Sequence, residues 1–143
     1  MEHSLDFSQM NVLIVDDTAL MRAMHKKNLI ELGFAEKNIS QAENGQAGFV
    51  RLQSFYQKKT KVDLIVCDWD MPEVTGLEFL KKVRSVSLTK DITFLMVTGH
   101  DKKEDYAKVA QSGVSGIILK PFKPEVFQQK VIELMSKKIM NEI

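Results

Sequence analysis

The stretch Leu64-Ile65-Val66-Cys67-Asp68-Trp69-Asp70-Met71-Pro72 sets four apolar side chains directly before an acid. A short apolar run bounded by polar residues is what a central strand looks like when helices cover both of its faces. Three further runs have the same shape: Val12 to Val15 leads into Asp16 and Asp17, Phe94 to Val97 into Thr98, and Ile117 to Leu119 into Lys120 and Pro121. In an open parallel sheet, ligands sit just outside the carboxyl ends of the strands, so these endings would gather three carboxylates, a hydroxyl and an ammonium in one crevice. Such a crevice suits a divalent cation and a phosphoryl group.

Longer stretches of helical character separate the apolar runs. Five strand-helix units result, which predicts an α/β fold on a parallel sheet. The first strand covers about Asn11 to Asp16, and the helix after it, Ala19 to Leu32, is expected to turn Leu20, Met24 and Leu32 inward. Asp17 or Thr18 can cap its start and Gly33 its end. Ile39 to Glu43 offers only two apolar positions, which puts the second strand nearer an edge. Asn44-Gly45 marks a turn, and Gln46 to Tyr56 carries Ala47, Phe49, Val50 and Leu52 at helical spacing before a polar surface loop over Gln57 to Lys61. The third, fourth and fifth strands should make the core, with helices over Leu77 to Arg84 and Lys102 to Gln111 between them. A last helix starts beside Pro124 and ends near Lys137 and Lys138, whose charge suits a helix C-terminus.

The totals fit one domain. A chain of 143 residues can bury roughly two thirds of its unfolded surface without a disulfide or structural metal. A net charge of +1 gives no reason to expect nucleic acid or an anionic membrane as a partner. Cys67, the single cysteine, lies inside an apolar run and reads as a small buried hydrophobe in a reducing cytoplasm. Met1 to Met10 has no continuous apolar stretch and is not a signal peptide, and no run reaches the roughly twenty residues that cross a bilayer. The organisation expected is a tail over residues 1–9 and a single domain over residues 10–143.

Each candidate residue also has an ordinary explanation. An Asp after a strand commonly caps the next helix, a Thr before Gly is turn chemistry, and a lone Lys is usually solvated. The balance changes because Asp16, Asp17 and Asp68 end two strands at one sheet edge, where three carboxylates repel one another unless a cation joins them. A hard cation with oxygen ligands, Mg²⁺, resolves that repulsion. Pro121 also makes Lys120 less ordinary, since a cis peptide there would aim the ammonium back across the strand ends.

At this point the chain resembles the receiver domains of two-component response regulators, and most of all their single-domain chemotaxis members. The matching segments are Val15-Asp16-Asp17-Thr18, Met21-Arg22, Glu31-Leu32-Gly33-Phe34, Ala42-Glu43-Asn44-Gly45, Asp68-Trp69-Asp70-Met71-Pro72, Thr75-Gly76-Leu77, Thr98-Gly99 and Lys120-Pro121-Phe122. They run from Asn11 to about Phe127 in the family's order. The resemblance implies a flavodoxin-like, doubly wound sheet of five parallel strands, ordered 2-1-3-4-5, with five helices and no output domain. By it, Asp68 is the phosphoacceptor, assisted by Thr98 and Lys120. Mg²⁺ would be bound by Asp17, Asp68 and the backbone carbonyl of Asp70, with Asp16 acting through water.

The partners implied are a sensor histidine kinase as phosphodonor, a downstream protein such as the flagellar motor switch, and a phosphatase. The output surface would include Lys102, Lys103, Tyr106, Val114, Lys123, Val126 and Phe127. The chain departs from the family at Ile117, three residues before the lysine, where an aromatic ring usually swings with the threonine. Asp70 and His100 should flank the path of the water that removes the phosphate. Two rival readings remain: a haloacid dehalogenase-like phosphatase, whose order of motifs and length fit poorly, and a receiver-fold binding module that is not phosphorylated.

Overall fold

The computed structural model describes residues 5–142, so Met1 to Ser4 of the expected tail, and Ile143, lie outside the described residues. The chain alternates β1 (Val12–Val15), α1 (Ala19–Leu32), β2 (Ile39–Ala42), α2 (Gly45–Gln57), β3 (Leu64–Asp68), α3 (Gly76–Ser85), β4 (Thr93–Thr98), α4 (Lys103–Gln111), β5 (Gly116–Leu119) and α5 (Pro124–Glu142). All strand pairs are parallel and the sheet order is β2-β1-β3-β4-β5, as the family likeness implied. Because β1 pairs with both β2 and β3, the chain reverses its winding after β2, and a crevice opens at the carboxyl ends of β1 and β3. The register sets Val15 against Cys67, so Asp16 and Asp68 leave adjacent strands at the same level.

Two apolar layers flank the sheet. Leu13, Val15, Ile65, Cys67, Phe94 and Met96 point to one side, against Phe79, Leu80, Val83 and Val109 from α3 and α4 and Leu52 from α2. Val12, Ile14, Leu64, Val66, Leu95 and Val97 point to the other, against Leu29 of α1 and Phe127, Val131 and Leu134 of α5. This alternation along three strands buried on both faces explains why each reads as an unbroken apolar run. Phe7 also packs into the second layer, stacked on Phe34 with ring centroids 4.5 Å apart.

Helix ends follow local chemistry. Thr18 caps α1 by accepting from the Met21 N–H, Asn44 caps α2 by accepting from Ala47, and Thr75 with Glu78 forms a reciprocal capping box on α3. Gly33 closes α1 at φ 110°, a left-handed conformation that carries no side-chain penalty in glycine.

Four expectations need correction. The inward face of α1 is not Leu20 and Met24, which are 72% and 41% exposed; it is His25, Asn28 and Leu29, with Leu32 half-buried. Val50 points to solvent, and α2 buries Gly45, Gly48 and Leu52 instead. The fifth strand is an edge, with Leu119 exposed, while β1 takes its place in the centre. Helix α5 continues past Lys138 to Glu142, tied to the start of β3 by Lys138 Nζ donating to the Asp63 carbonyl at 3.4 Å and by Lys61 facing Glu142 at 3.8 Å.

Candidate functional site

The site is built at the carboxyl ends of β1, β3, β4 and β5. Carboxylate oxygens of Asp16, Asp17 and Asp68 all lie within 4.8 Å of one another, with Asp16 and Asp68 buried and Asp17 exposed. Lys120 closes the cluster from the β5 side, donating from Nζ to Asp68 Oδ1 at 2.9 Å. The peptide between Lys120 and Pro121 is cis, and the Lys120 N–H donates to the Thr98 carbonyl at 2.7 Å, so the lysine backbone is tied to the end of β4.

Each acid is held by its own surroundings. The Asp16 carboxylate accepts through Oδ1 from the Thr18 N–H (2.9 Å) and hydroxyl (3.2 Å), while Arg22 donates to the Asp16 carbonyl at 2.6 Å. Asp68 sits where α3 approaches the strand most closely. A Cβ at Gly76 would overlap the Asp68 carbonyl oxygen and lie 2.8 Å from Trp69 Cα, so only glycine lets the helix begin there. The Gly76 N–H then donates to the Trp69 carbonyl at 2.8 Å and fixes the loop that carries Asp70.

The electrostatics follow from three acids facing one ammonium. Burial pushes the Asp68 carboxyl above the usual range; the hydrogen bond and charge of Lys120 oppose this, and Asp16 and Asp70 add to it. Asp16 is raised too, first by burial, against the hydrogen bonds of Thr18 and the charge of Lys120. One lysine does not neutralise the cluster. The donors are all hard oxygens, and three carboxylates converge within 4.8 Å of one another, so the residues present fit Mg²⁺. Among the described residues, this is the group of acids that converges in this way.

Thr98 is buried at the end of β4, and its hydroxyl accepts from the His100 N–H at 2.9 Å. His100 bridges two carboxylates, meeting Asp70 Oδ1 at 2.8 Å through Nε2 and Asp105 Oδ2 at 3.1 Å through Nδ1. Its ring also stacks on Trp69 with centroids 4.3 Å apart. These contacts, the hydrogen bond to Asp70 above all, raise the histidine's pKa. The sequence points to Asp70 and His100 together, beside the path of the attacking water, but not to Asp105, which lies five residues beyond His100 and meets it only through the geometry of α4.

Residues 12–132 match the model of the response regulator receiver domain. The chain belongs to the response regulator receiver family. Among this receiver's relatives is the chemotaxis protein CheY of Pseudomonas aeruginosa, 35% identical over 128 residues, covering 90% of this chain and 98% of that protein. Another is CheY1 of Helicobacter pylori, 37% identical over 122 residues, 85% of this chain and 94% of the other. The crystal structure of the Vibrio cholerae chemotaxis response regulator CheY4 superposes with a TM-score of 0.77 at 30% identity, covering 88% of this chain and 98% of that one. A receiver protein from Methanospirillum hungatei reaches 0.80 at 23% identity, covering 94% and 99%, a likeness of fold.

One further position in this receiver, Phe127, differs from what its sequence suggested, and Ile117 takes a defined place in the core. Ile117 is half-buried and packs on the α2–α3 side of the sheet. Phe127, expected on the output surface, is fully buried against Phe122 and His25; Lys102, Lys103, Lys123 and Val126 are exposed, and Tyr106 and Val114 half-buried. No helix among the described residues is long and apolar enough to cross a membrane.

Proposed function

We propose that this receiver is the phosphorylation switch of a chemotaxis-type two-component system, with Asp68 as its phosphoacceptor. The observation that carries this reading is the buried Asp68 carboxylate, paired with Lys120 at 2.9 Å and placed within 4.8 Å of Asp16 and Asp17. An Asp68 carboxylate oxygen forms a bond to phosphorus as the bond from phosphorus to the imidazole nitrogen of a kinase phosphohistidine breaks. Such a transfer asks the protein for in-line positioning and for positive charge on the moving oxygens. Asp17, Asp68 and the Asp70 carbonyl would hold Mg²⁺, with Asp16 bound through water. When bound, that ion supplies charge neutralisation that Lys120 alone cannot.

After transfer, Lys120 keeps its ammonium on the phosphoryl oxygens and the Thr98 hydroxyl leaves the His100 N–H to bond them. With Ile117 in place of a ring, the change reaches α4, β5 and the start of α5 through the backbone, since Lys120 N is tied to the Thr98 carbonyl. The exposed Lys102, Lys103, Lys123 and Val126 then offer the surface read by a downstream protein, in the chemotaxis setting the flagellar motor switch. Residues 10–143 act as one receiver domain, with Phe7 of the segment ahead of them packed into its second apolar layer, and a phosphatase shortens the signal. The cytoplasm, reducing and supplied with kinase, suits a chain whose single cysteine is a buried thiol.

Incubation with acetyl phosphate and Mg²⁺ followed by intact mass tests the reading. One added phosphoryl group that disappears in Asp68→Ala, and without Mg²⁺, is the expected result. An unmodified mass under these conditions would establish the receiver as a binding module that works without phosphorylation. Sustained turnover of phosphate monoesters, abolished by Asp68→Asn, would make it a phosphatase.

A further inference from the structure

His25 is an unusual residue to find at the centre of α1. It is 1% exposed, and neither ring nitrogen has a hydrogen-bond partner. Its ring lies between Phe122, with centroids 6.1 Å apart and planes 8° apart, and Phe127, at 5.2 Å and 21°. Nε2 faces Asp16 Oδ2 at 3.8 Å, and that oxygen is also buried without a hydrogen bond. A buried polar group left unpaired costs about 1–3 kcal/mol, a cost that an aliphatic or phenyl side chain here would avoid. Two such groups facing each other offer a mutual remedy: closing the gap from 3.8 Å to the usual ~2.9 Å makes an N–H···O hydrogen bond.

The other oxygen of Asp16 is already fixed by the Thr18 N–H and hydroxyl. A donor on Oδ2 therefore sets the plane of the carboxylate completely. We propose that His25 is a positioning residue of the cation site, its neutral imidazole donating from Nε2 to Asp16 Oδ2 so that Asp16 is held ready to bind the cation's water. This rests on the reading of Asp16 as a water-mediated partner of Mg²⁺. A neutral donor suits the task, because a lysine or arginine at this place would compete with the cation for the acid's charge. A ring sealed from solvent, with no hydrogen-bond partner on either nitrogen, favours the neutral form. The stack with Phe122 ties the same ring to the Lys120-Pro121-Phe122 turn, so both walls of the site rest on it.

The test is a Mg²⁺ titration followed by the fluorescence of Trp69, the single tryptophan, which directly follows Asp68. His25→Phe keeps an aromatic ring between Phe122 and Phe127 and removes the donor; His25→Gln keeps an N–H donor. Loss of the donor is expected to weaken Mg²⁺ binding about tenfold, within the range for residues that orient a metal ligand, and glutamine to recover much of it. In an Asp16→Asn background, His25→Phe should then change nothing further. A purely structural role would shift urea stability alike in both backgrounds and leave Mg²⁺ affinity alone. Unchanged affinity in His25→Phe, or the same loss in both backgrounds, overturns the proposal. Nitrogen-15 NMR of the metal-free protein gives a second readout: a neutral His25 ring carrying its proton on Nε2 supports the bond, and a proton on Nδ1 refutes it. Absence of any Mg²⁺ binding by the parent protein would defeat the receiver reading, while the NMR result would still decide the partner of His25. The glutamine variant and the NMR measurement also serve if His25→Phe does not fold.

Discussion

Lys120 and Asp68 are joined at 2.9 Å, yet they contribute differently to phosphoryl transfer. Asp68 supplies the atom that forms the new bond, whereas Lys120 supplies charge that a bound Mg²⁺ partly duplicates. Asp68→Ala is therefore expected to abolish acceptance from acetyl phosphate, and Lys120→Ala to slow it by about 10², the low end of what one lost charge-stabilising donor costs. Initial rates by intact mass measure both, and identical null behaviour would show the lysine to be indispensable. Asp70 and His100 act at the next stage. Since their side chains meet at 2.8 Å, Asp70→Ala and His100→Ala each break the same bridge, and the double variant should add little to either. Both should change the decay of phosphorylated protein more than its formation; decay rates equal to the parent's would reject a role for the bridge. At this scale the acids, Thr98 and Lys120 were legible because each ends an apolar run, a feature of the local sequence. His25 and Asp105 were not, because what matters about them is a contact made across elements.

Four of the strand-helix units present site residues at their strand ends, and after β3 the helix comes so close to the strand that it leaves no room for a side chain. The Asp68 carbonyl and Trp69 backbone fill the space where a side chain on Gly76 would go. Gly76→Ala must push α3 away from the strand end, an overpacking expected to cost about 1–3 kcal/mol in urea unfolding. The displaced loop carries Asp70, so Mg²⁺ affinity should fall together with stability. A Gly76→Ala protein as stable as the parent, with normal Mg²⁺ binding, would show that the loop yields without consequence. Strand ends came readily from the apolar runs, and Thr18 and Gly33 were legible as the caps of α1, whereas the capping of α2 by Asn44 and of α3 by Thr75 emerged in the structure. The inward face of α1 was not legible, for a physical reason. Its buried stripe contains His25 and Asn28, so hydrophobicity points to Leu20 and Met24, which are exposed. The spacing of His25, Asn28, Leu29 and Leu32 is itself a helical stripe and was the available signal.

Over the whole molecule, the buried charges make stability depend on pH in two opposing ways. His25 has a folded pKa of about 4 against an ordinary 6.5, so between these values the unfolded chain binds the extra proton and stability falls as pH falls. Asp16 and Asp68 are shifted upward, so the folded protein holds their protons more tightly and acidification relieves their repulsion. The sheet topology forces this opposition, because ending β1 and β3 at one level brings acids together and packs α1 behind them. With Mg²⁺ present, acidification also releases the ion and subtracts its stabilisation, so the histidine is best isolated in EDTA. There, the stability of the parent relative to His25→Phe should decline from pH 6.5 to about 4, reaching a difference of roughly 3 kcal/mol. The carboxylates act in both proteins and largely cancel in the comparison. Paired urea titrations across this range measure the difference directly. A flat difference curve would mean that the Asp16 carboxylate accepts a protonated His25 without penalty, and the two residues would then form a buried ion pair instead of the neutral contact inferred from their geometry.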